Sequence, residues 1–299
     1  MSFFTLRMGK LNYKWLYLLT LSLVWGSSFI LMKKALLGVS PVQLGALRVL
    51  ITAIFLILLG FKRVLKIRKE QWKWLLLSAS IGTFFPSFLY AFAIKGIDSS
   101  IASILNSVTP FNALWIGVLF FGVVFQRKQL LGILIGLLGT IMLIMAGAEL
   151  NPHQNYWYAL LPIVSSLGYA LNVNIIKAHL QDLDAFSIAV GSFIWITIPA
   201  LLVLVFTDFF SSFTLNEKTE SALLYITILS VVGTGVAKIL FNRLIQISTP
   251  VFSSSVTYLI PIVAVIWGVI DGEKLSFNQL IAAVIILFGV YLVNKKAKV

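Results

Sequence analysis

Ionisable side chains are scarce inside the long apolar stretches of this sequence. Arg48 lies in one of them and Lys238 in another. A charge at the centre of a bilayer costs about 2.5–3.5 kcal/mol on insertion scales, so its presence calls for a reason. Asn242 follows Lys238 by one helical turn and shares its face. Lys238 could attract an anionic group on a ligand, such as a carboxylate. It could equally snorkel or bond backbone carbonyls and serve packing. Arg48 reads as a structural charge that ties loops or carbonyls to a neighbouring helix. Further polar candidates stack at helical spacing: Asn106 with Pro110, Ser254 and Thr257 with Tyr258 and Pro261, Tyr169 with Asn172, and Trp25 with Ser28. Each could touch a ligand or join helices. Pro110 and Pro261 each remove a backbone hydrogen bond and leave a carbonyl free, which suits a hinge or helix break.

The elements that carry these residues are membrane helices. The 299 residues are 60% hydrophobic and 11% charged, with a mean hydropathy of +1.00. Soluble domains run near 45–50% apolar and about 25% charged, so lipid must be the solvent for most of this chain. Apolar stretches near the roughly 20 residues needed to cross the hydrocarbon tile it as ten spans. They cover about 15–36, 42–61, 72–94, 99–125, 129–148, 156–177, 185–207, 220–243, 250–271 and 277–294. The first apolar run follows a basic N-terminal region but is too long for a signal core, so it reads as a retained helix. The connection 208–220 is polar and acidic on balance.

Several functions are disfavoured. There is no cysteine, which excludes disulfides and thiolate metal sites. His153 and His179 stand apart in connecting segments, so no metal or other cofactor is expected. No HExxH, Gly-x-Ser-x-Gly, P-loop or paired intramembrane aspartate occurs, and the chain does not read as an enzyme. A non-transporting membrane enzyme or scaffold is the alternative from a different class. No filter-like segment marks a channel. No carboxylate sits in mid-span, which counts against proton-coupled export of cationic drugs.

With ten spans both termini share one side. Sixteen lysines and arginines fall on that side and five on the other, which makes the termini cytoplasmic. The net charge of +13 is then a topology signal, and nucleic acid is not needed as a partner. Partners are the lipid bilayer and a small-molecule substrate, with the chain a monomer or homodimer.

The stretch 99–118 returns 151 residues later as 250–269. Ser103 matches Ser254, Pro110 matches Pro261 and Gly117 matches Gly268. These are the fourth and ninth spans. Five spans per half is odd, so the second half enters the membrane inverted, the usual architecture of secondary transporters. The boundary falls between 1–148 and 149–299. The same offset carries Lys238 onto Ser87 and Phe241 onto Tyr90, which would face each other across the pseudo-twofold.

Trp25-Gly26-Ser27-Ser28-Phe29, Leu47-Arg48, Ser99-Ser100-Ile101-Ala102-Ser103 leading to Pro110, its counterpart leading to Pro261, and Asp271-Gly272-Glu273-Lys274-Leu275 form a pattern. It resembles the drug/metabolite transporter superfamily, EamA-type branch. The family's Gly-Glu turn after the fourth helix is replaced here by Gly122-Val123-Val124-Phe125-Gln126. The resemblance implies an all-α polytopic fold with ten helices in two inverted five-helix repeats around a central cavity. It also implies alternating access in a bacterial cytoplasmic membrane, with metabolite export or multidrug and toxic-compound export as the family's range. Neutral or acidic solutes, an amino acid or relative, fit the charges best. Lys238, Asn242, Tyr90, Asn106, Tyr258, Trp25, Tyr169 and Asn172 are the cavity candidates.

The absence of cysteine makes the topology directly measurable. A cysteine replacing Lys218 should react with an impermeant thiol reagent on intact cells, and one replacing Lys69 only after permeabilisation. The opposite pattern would reverse the orientation.

Overall fold

The computed structural model describes residues 3–122, 127–151, 153–207 and 209–294. Residues 123–126 of the replaced turn, and Lys295, Lys296 and Lys298, lie outside them. Among the described residues every regular element is a helix. Eight helices are long and apolar enough to cross a membrane: Tyr13–Ala35, Pro41–Lys66, Lys69–Gly96, Ser99–Phe121, Tyr156–His179, Ala185–Val205, Glu217–Ile247 and Pro250–Ile270. The stretches expected as fifth and tenth spans are helical too, as α7 (Arg127–Leu150) and α15 (Phe277–Asn294). Their apolar portions, Leu134–Ala146 and Phe277–Gly289, are shorter than a full span.

Local sequence explains several helix starts. Ser40 caps α2 (Pro41–Gly60) through the Gln43 N–H while the Gln43 side chain returns to the Ser40 N–H, and Pro41 sits where no N–H is needed. Asn216 caps α11 (Glu217–Ser230) in the same reciprocal way with Thr219. Leu58, Leu65, Phe120, Ile198 and Phe206 are exposed, whereas serines, threonines and asparagines are buried between helices. That inside-out polarity is what lipid demands, because polar groups find partners only within the protein.

Four spans are interrupted. The third runs as α3 (Trp72–Ala79), a π-helical turn at Ser80–Phe84 and α4 (Phe85–Gly96). The eighth runs as α11, a π-helical turn at Val231–Val236 and α12 (Ala237–Ile247). The fourth breaks between α5 (Ser99–Asn106) and α6 (Thr109–Phe121), one turn before Pro110's helix is established. The ninth passes from α13 (Pro250–Ser254) through a 3-10 turn, Ser255–Tyr258, to α14 (Ile260–Ile270). The carbonyls expected to be freed by the two prolines are in fact taken. Asn106 O accepts from Thr109 Oγ1 at 2.7 Å, and Thr257 O accepts from Ser107 Oγ at 3.0 Å. A hydroxyl replaces each missing amide, and the second bond ties the two broken spans together.

Glycines allow the interrupted segments to pack closely. A Cβ on Gly233 would lie 2.8 Å from Ser28 Oγ, and one on Gly168 would collide with the Ile81 carbonyl. The first span, α1 (Phe3–Ala35), packs on α11, α12 and α14. The sixth, α8 (Leu160–His179), packs on α3, α4 and α6, while α2 lies along α9 (Ala185–Val205). At one end α7 lies along α15, where a Cβ on Gly289 would meet Gly136 N at 2.5 Å. Each half therefore packs mainly against the other.

A charged cluster closes the end of the bundle away from the N-terminus. Glu273, in the turn before α15, accepts from Ser99 N–H at 3.1 Å and Ser99 Oγ at 2.6 Å through Oε1. Its Oε2 accepts from Ser100 N–H at 3.1 Å and Ser100 Oγ at 2.5 Å. Lys33 Nζ donates to Glu273 at 2.9 Å and pairs with Asp271 at 2.7 Å, and Lys34 pairs with Asp271 as well. Gly268 is obligatory beneath it, because a Cβ there would lie 2.5 Å from Glu273 Oε2. Burial opposes ionisation of Glu273, but the Ser100, Ser99 and Lys33 hydrogen bonds together outweigh it and hold its carboxyl below the usual range. Asp271 is likewise held low: burial opposes its charge, and Lys33 and Lys34 prevail.

Both folded-state values are depressed. The stability these groups add is therefore complete above the ordinary carboxylate range and is lost as pH falls through the lowered values. Glu273→Ala should lower the thermal midpoint in detergent, at a cost of about 3 kcal/mol or more for the stranded Lys33 and serine donors. The difference from wild type should shrink at acid pH. A midpoint unchanged at neutral pH would show that the cluster contributes nothing.

Candidate functional site

The π-helical turns and proline breaks surround one cavity. It offers about 90 Å³ to the centre of a water molecule. Six of the eight expected cavity residues line it: Trp25, Tyr90, Asn106, Tyr169, Asn172 and Lys238. They come from five helices, Tyr169 and Asn172 sharing α8, so the cavity is a product of several spans of the bundle.

Lys238 is the second residue of α12, directly after the π-helical turn of the eighth span. It is 7% exposed, and its ammonium donates to the Gly82 carbonyl in the other π-helical turn at 3.3 Å. The Gly233 carbonyl, 151 residues on from Gly82, accepts from Trp25 Nε1 at 3.0 Å. The two equivalent carbonyls are thus capped by two cavity side chains from the opposite halves. Ser87 and Phe241 line the cavity with Tyr90 and Lys238, so the four positions linked by the 151-residue offset do meet in one space.

Aromatic rings form much of the wall. Trp25 meets Phe241 edge-on at 4.9 Å, Phe29 meets Tyr90 edge-on at 5.6 Å, and Tyr90 stacks with Tyr169 at 6.1 Å. Asn172 accepts from Ser78 Oγ at 2.5 Å and packs its side chain on Gly82. Asn106 faces the cavity with Thr109, and Ser254, Val256, Thr257 and Ile260 lie opposite in the ninth span.

Two expected residues lie elsewhere. Asn242 shares the helix with Lys238 but is fully buried outside the lining, with its Nδ2 donating to Ala185 O at 3.3 Å. Helix α12 packs on α9 as well as on the cavity, and Asn242 is on the α9 side. Tyr258 packs against the hydrophobic core beside the lining residue Thr257. Pro110 and Pro261 shape the breaks and do not reach the cavity.

Arg48, read from sequence as a structural charge, also lines the cavity. Its Nε donates to Thr234 Oγ1 at 2.8 Å and its Nη1 lies 3.7 Å from Met32 Sδ. Thr83 and Thr234 were missed as site residues. Gly82-Thr83 and Gly233-Thr234 stand at the same 151-residue offset as the prolines, and that offset would have found them. Among the described residues no aspartate or glutamate lines the cavity.

The matching family is described as the EamA-like transporter family, and its model matches residues 13–145 and again 156–295. The chain belongs to the EamA-like transporter family. Relatives of this transporter are similar over nearly their whole length. The uncharacterized transporter YvbV of Bacillus subtilis is 24% identical over 95% of this chain and 92% of its own. An uncharacterized transporter of Archaeoglobus fulgidus is 29% identical over 92% and 94%. A Salmonella typhimurium protein named "probable amino-acid metabolite efflux pump" is 25% identical over 90% of each chain. One solved crystal structure shares the fold with a TM-score of 0.66, at 19% identity over 93% of this chain and 95% of its own. The EamA-like transporter is therefore a multi-pass membrane protein that acts on a small molecule.

In this cysteine-free EamA-like chain the lining can be tested directly. A cysteine at Lys238 should be modified by a small methanethiosulfonate reagent in proteoliposomes, and one at Asn242 should not. Equal protection of both would mean that the Lys238 position is sealed from water.

Proposed function

We propose that this chain is a ten-helix secondary transporter of a small polar or acidic metabolite, an amino acid or related solute. It moves its substrate across the cytoplasmic membrane by alternating access. The observation that carries this reading is the cavity itself: a half-buried Arg48 and a buried Lys238 line it, with no carboxylate among its described lining residues. An uncompensated cation at mid-membrane is costly, so a ligand with an acidic group is the natural partner. The same wall repels cationic drugs, which favours a metabolite over the multidrug alternative.

The domain reading divides the chain at 148/149 into two five-helix repeats of opposite topology. Two successive family matches support it, as do paired π-helical turns and paired proline breaks at a common offset. α7 and α15 then complete each repeat as its fifth helix. With both termini cytoplasmic, the Lys33–Glu273–Ser99 cluster closes the outer face, and the exposed pairs Arg63–Asp184 and Arg68–Asp182 span the inner one. Alternating access would break one set while the other holds, with the breaks near Pro110 and Pro261 as hinges. The amino-acid metabolite named for the Salmonella relative agrees with this substrate range.

Reconstituted vesicles with a labelled mixture of amino acids and related small organic acids test the reading. Saturable flux is expected, and Lys238→Ala should lower it at least about tenfold, about 1.4 kcal/mol, while the thermal midpoint holds. Unchanged flux in that variant would return Lys238 to a packing role.

A further inference from the structure

We infer that the cavity takes a small solute bearing two negative charges, with Arg48 and Lys238 each holding one acidic group. The inference rests on the transporter reading and sharpens its substrate class.

The geometry places the two cations together. Arg48 is anchored through Nε on Thr234 Oγ1, and Lys238 stands one helical turn beyond Thr234 on the same span. Side chains four residues apart on a helix are neighbours, about 6 Å between Cβ atoms. The Arg48 anchor uses only Nε. Among the described residues its terminal nitrogens meet no oxygen acceptor, since Nη1 touches a thioether at 3.7 Å. Lys238 gives one long bond to the Gly82 carbonyl, and an ammonium has three donors.

Two hydroxyls in the same wall point to the same ligand. Tyr90 OH and Thr83 Oγ1 are buried and have no hydrogen-bond partner. Thr83 is the counterpart of Thr234 at the 151-residue offset. Thr234 Oγ1 has accepted Arg48, whereas the equivalent hydroxyl in the first half is left open. Unmet buried hydroxyls cost about 1–3 kcal/mol each, so an acceptor belongs beside them. The cavity therefore presents unused donors from Arg48, Lys238, Tyr90 and Thr83, and no acid. A zwitterion would bring its ammonium into a wall that holds two cations and no carboxylate. A monocarboxylate would leave one cation unpaired, at high cost in low dielectric. A dianion satisfies both. The guanidinium fork matches a carboxylate or a phosphate oxygen pair bidentately. The narrow space and the rings of Trp25, Phe29 and Phe241 favour a short dicarboxylate over a bulky ester.

Purified protein in lipid nanodiscs provides the test, read by tryptophan fluorescence because Trp25 lines the cavity. The probes are succinate, inorganic phosphate, acetate and leucine. Succinate is expected to bind at least tenfold more tightly than acetate or leucine. Arg48→Gln and Lys238→Gln should each weaken succinate tenfold or more and bring it level with acetate, whereas Arg48→Lys should keep the preference. Thr83→Val, which removes one unpartnered hydroxyl and no anchor, should weaken succinate several-fold without moving the thermal midpoint. If phosphate binds and succinate does not, the two-charge site stands with phosphate as its occupant. Binding of leucine as tight as that of succinate, or wild-type succinate affinity in folded Arg48→Gln, would overturn the inference. Saturable amino-acid flux in that case would leave the transporter reading intact, and succinate binding without any flux would overturn that reading instead.

Discussion

The structure depends on one constraint: backbone polar groups inside lipid must find partners within the protein. A continuous helix meets it automatically. This chain interrupts four of its helices and then meets the demand with side chains. Thr109 and Ser107 hydroxyls bond the carbonyls that Pro110 and Pro261 could not reach. Lys238 and Trp25 bond the carbonyls of Gly82 and Gly233 in the two π-helical turns. Irregular backbone at membrane depth is tolerated where it is enclosed by protein or lines a cavity, and here it does both. The repairs run across the bundle, so disturbing one half unsettles the other.

The electrostatics follow from the same arrangement. Cations line the cavity, while the carboxylates that have been located sit at the bundle's ends. Glu273 and Asp271 are saturated by Lys33, Lys34 and two serines. Asp98 lies nearby, bonded by Asn151 and Gln154, with burial as the main cause lifting its carboxyl above the usual range. At the opposite end Asp184 caps α9 through the Ser187 N–H and faces Arg63. Burial opposes its charge, but the Ser187 bonds and Arg63 together hold it low. None of these acids is available to neutralise Arg48 or Lys238. The cavity keeps a positive field, which is the basis on which an acidic ligand is proposed for it.

Much of the fold could be read from residue order. Hydropathy marked the spans, and the 151-residue recurrence of a proline and a glycine pointed to paired broken helices. The end-cluster residues Asp271 and Glu273 stood out as a motif. The offset also aligned Lys238 with Ser87 and Phe241 with Tyr90, all four of which reach the cavity. Trp25, Asn106, Tyr169 and Asn172 were legible for a simpler reason: polar or amphipathic groups inside apolar helices have few places to go.

What residue order left open is which side of each helix faces the cavity, and that is decided by packing. Asn242 lies one turn from Lys238, yet α12 is shared between the cavity and α9, and Asn242 bonds Ala185. Tyr258 and Thr257 are adjacent, and the 3-10 turn sends one to the core and the other to the wall. Arg48, a structural charge in the sequence reading, does bond a partner on another span and also lines the cavity. That partner is a hydroxyl 186 residues away that engages Nε and leaves the rest of the fork unclaimed by oxygen. Sequence alone determined a membrane protein of paired helices with two costly cations in mid-span, because lipid penalises charge wherever the helix turns. Only the tertiary structure decided that both cations share one cavity, because that depends on contacts between spans that no local spacing encodes.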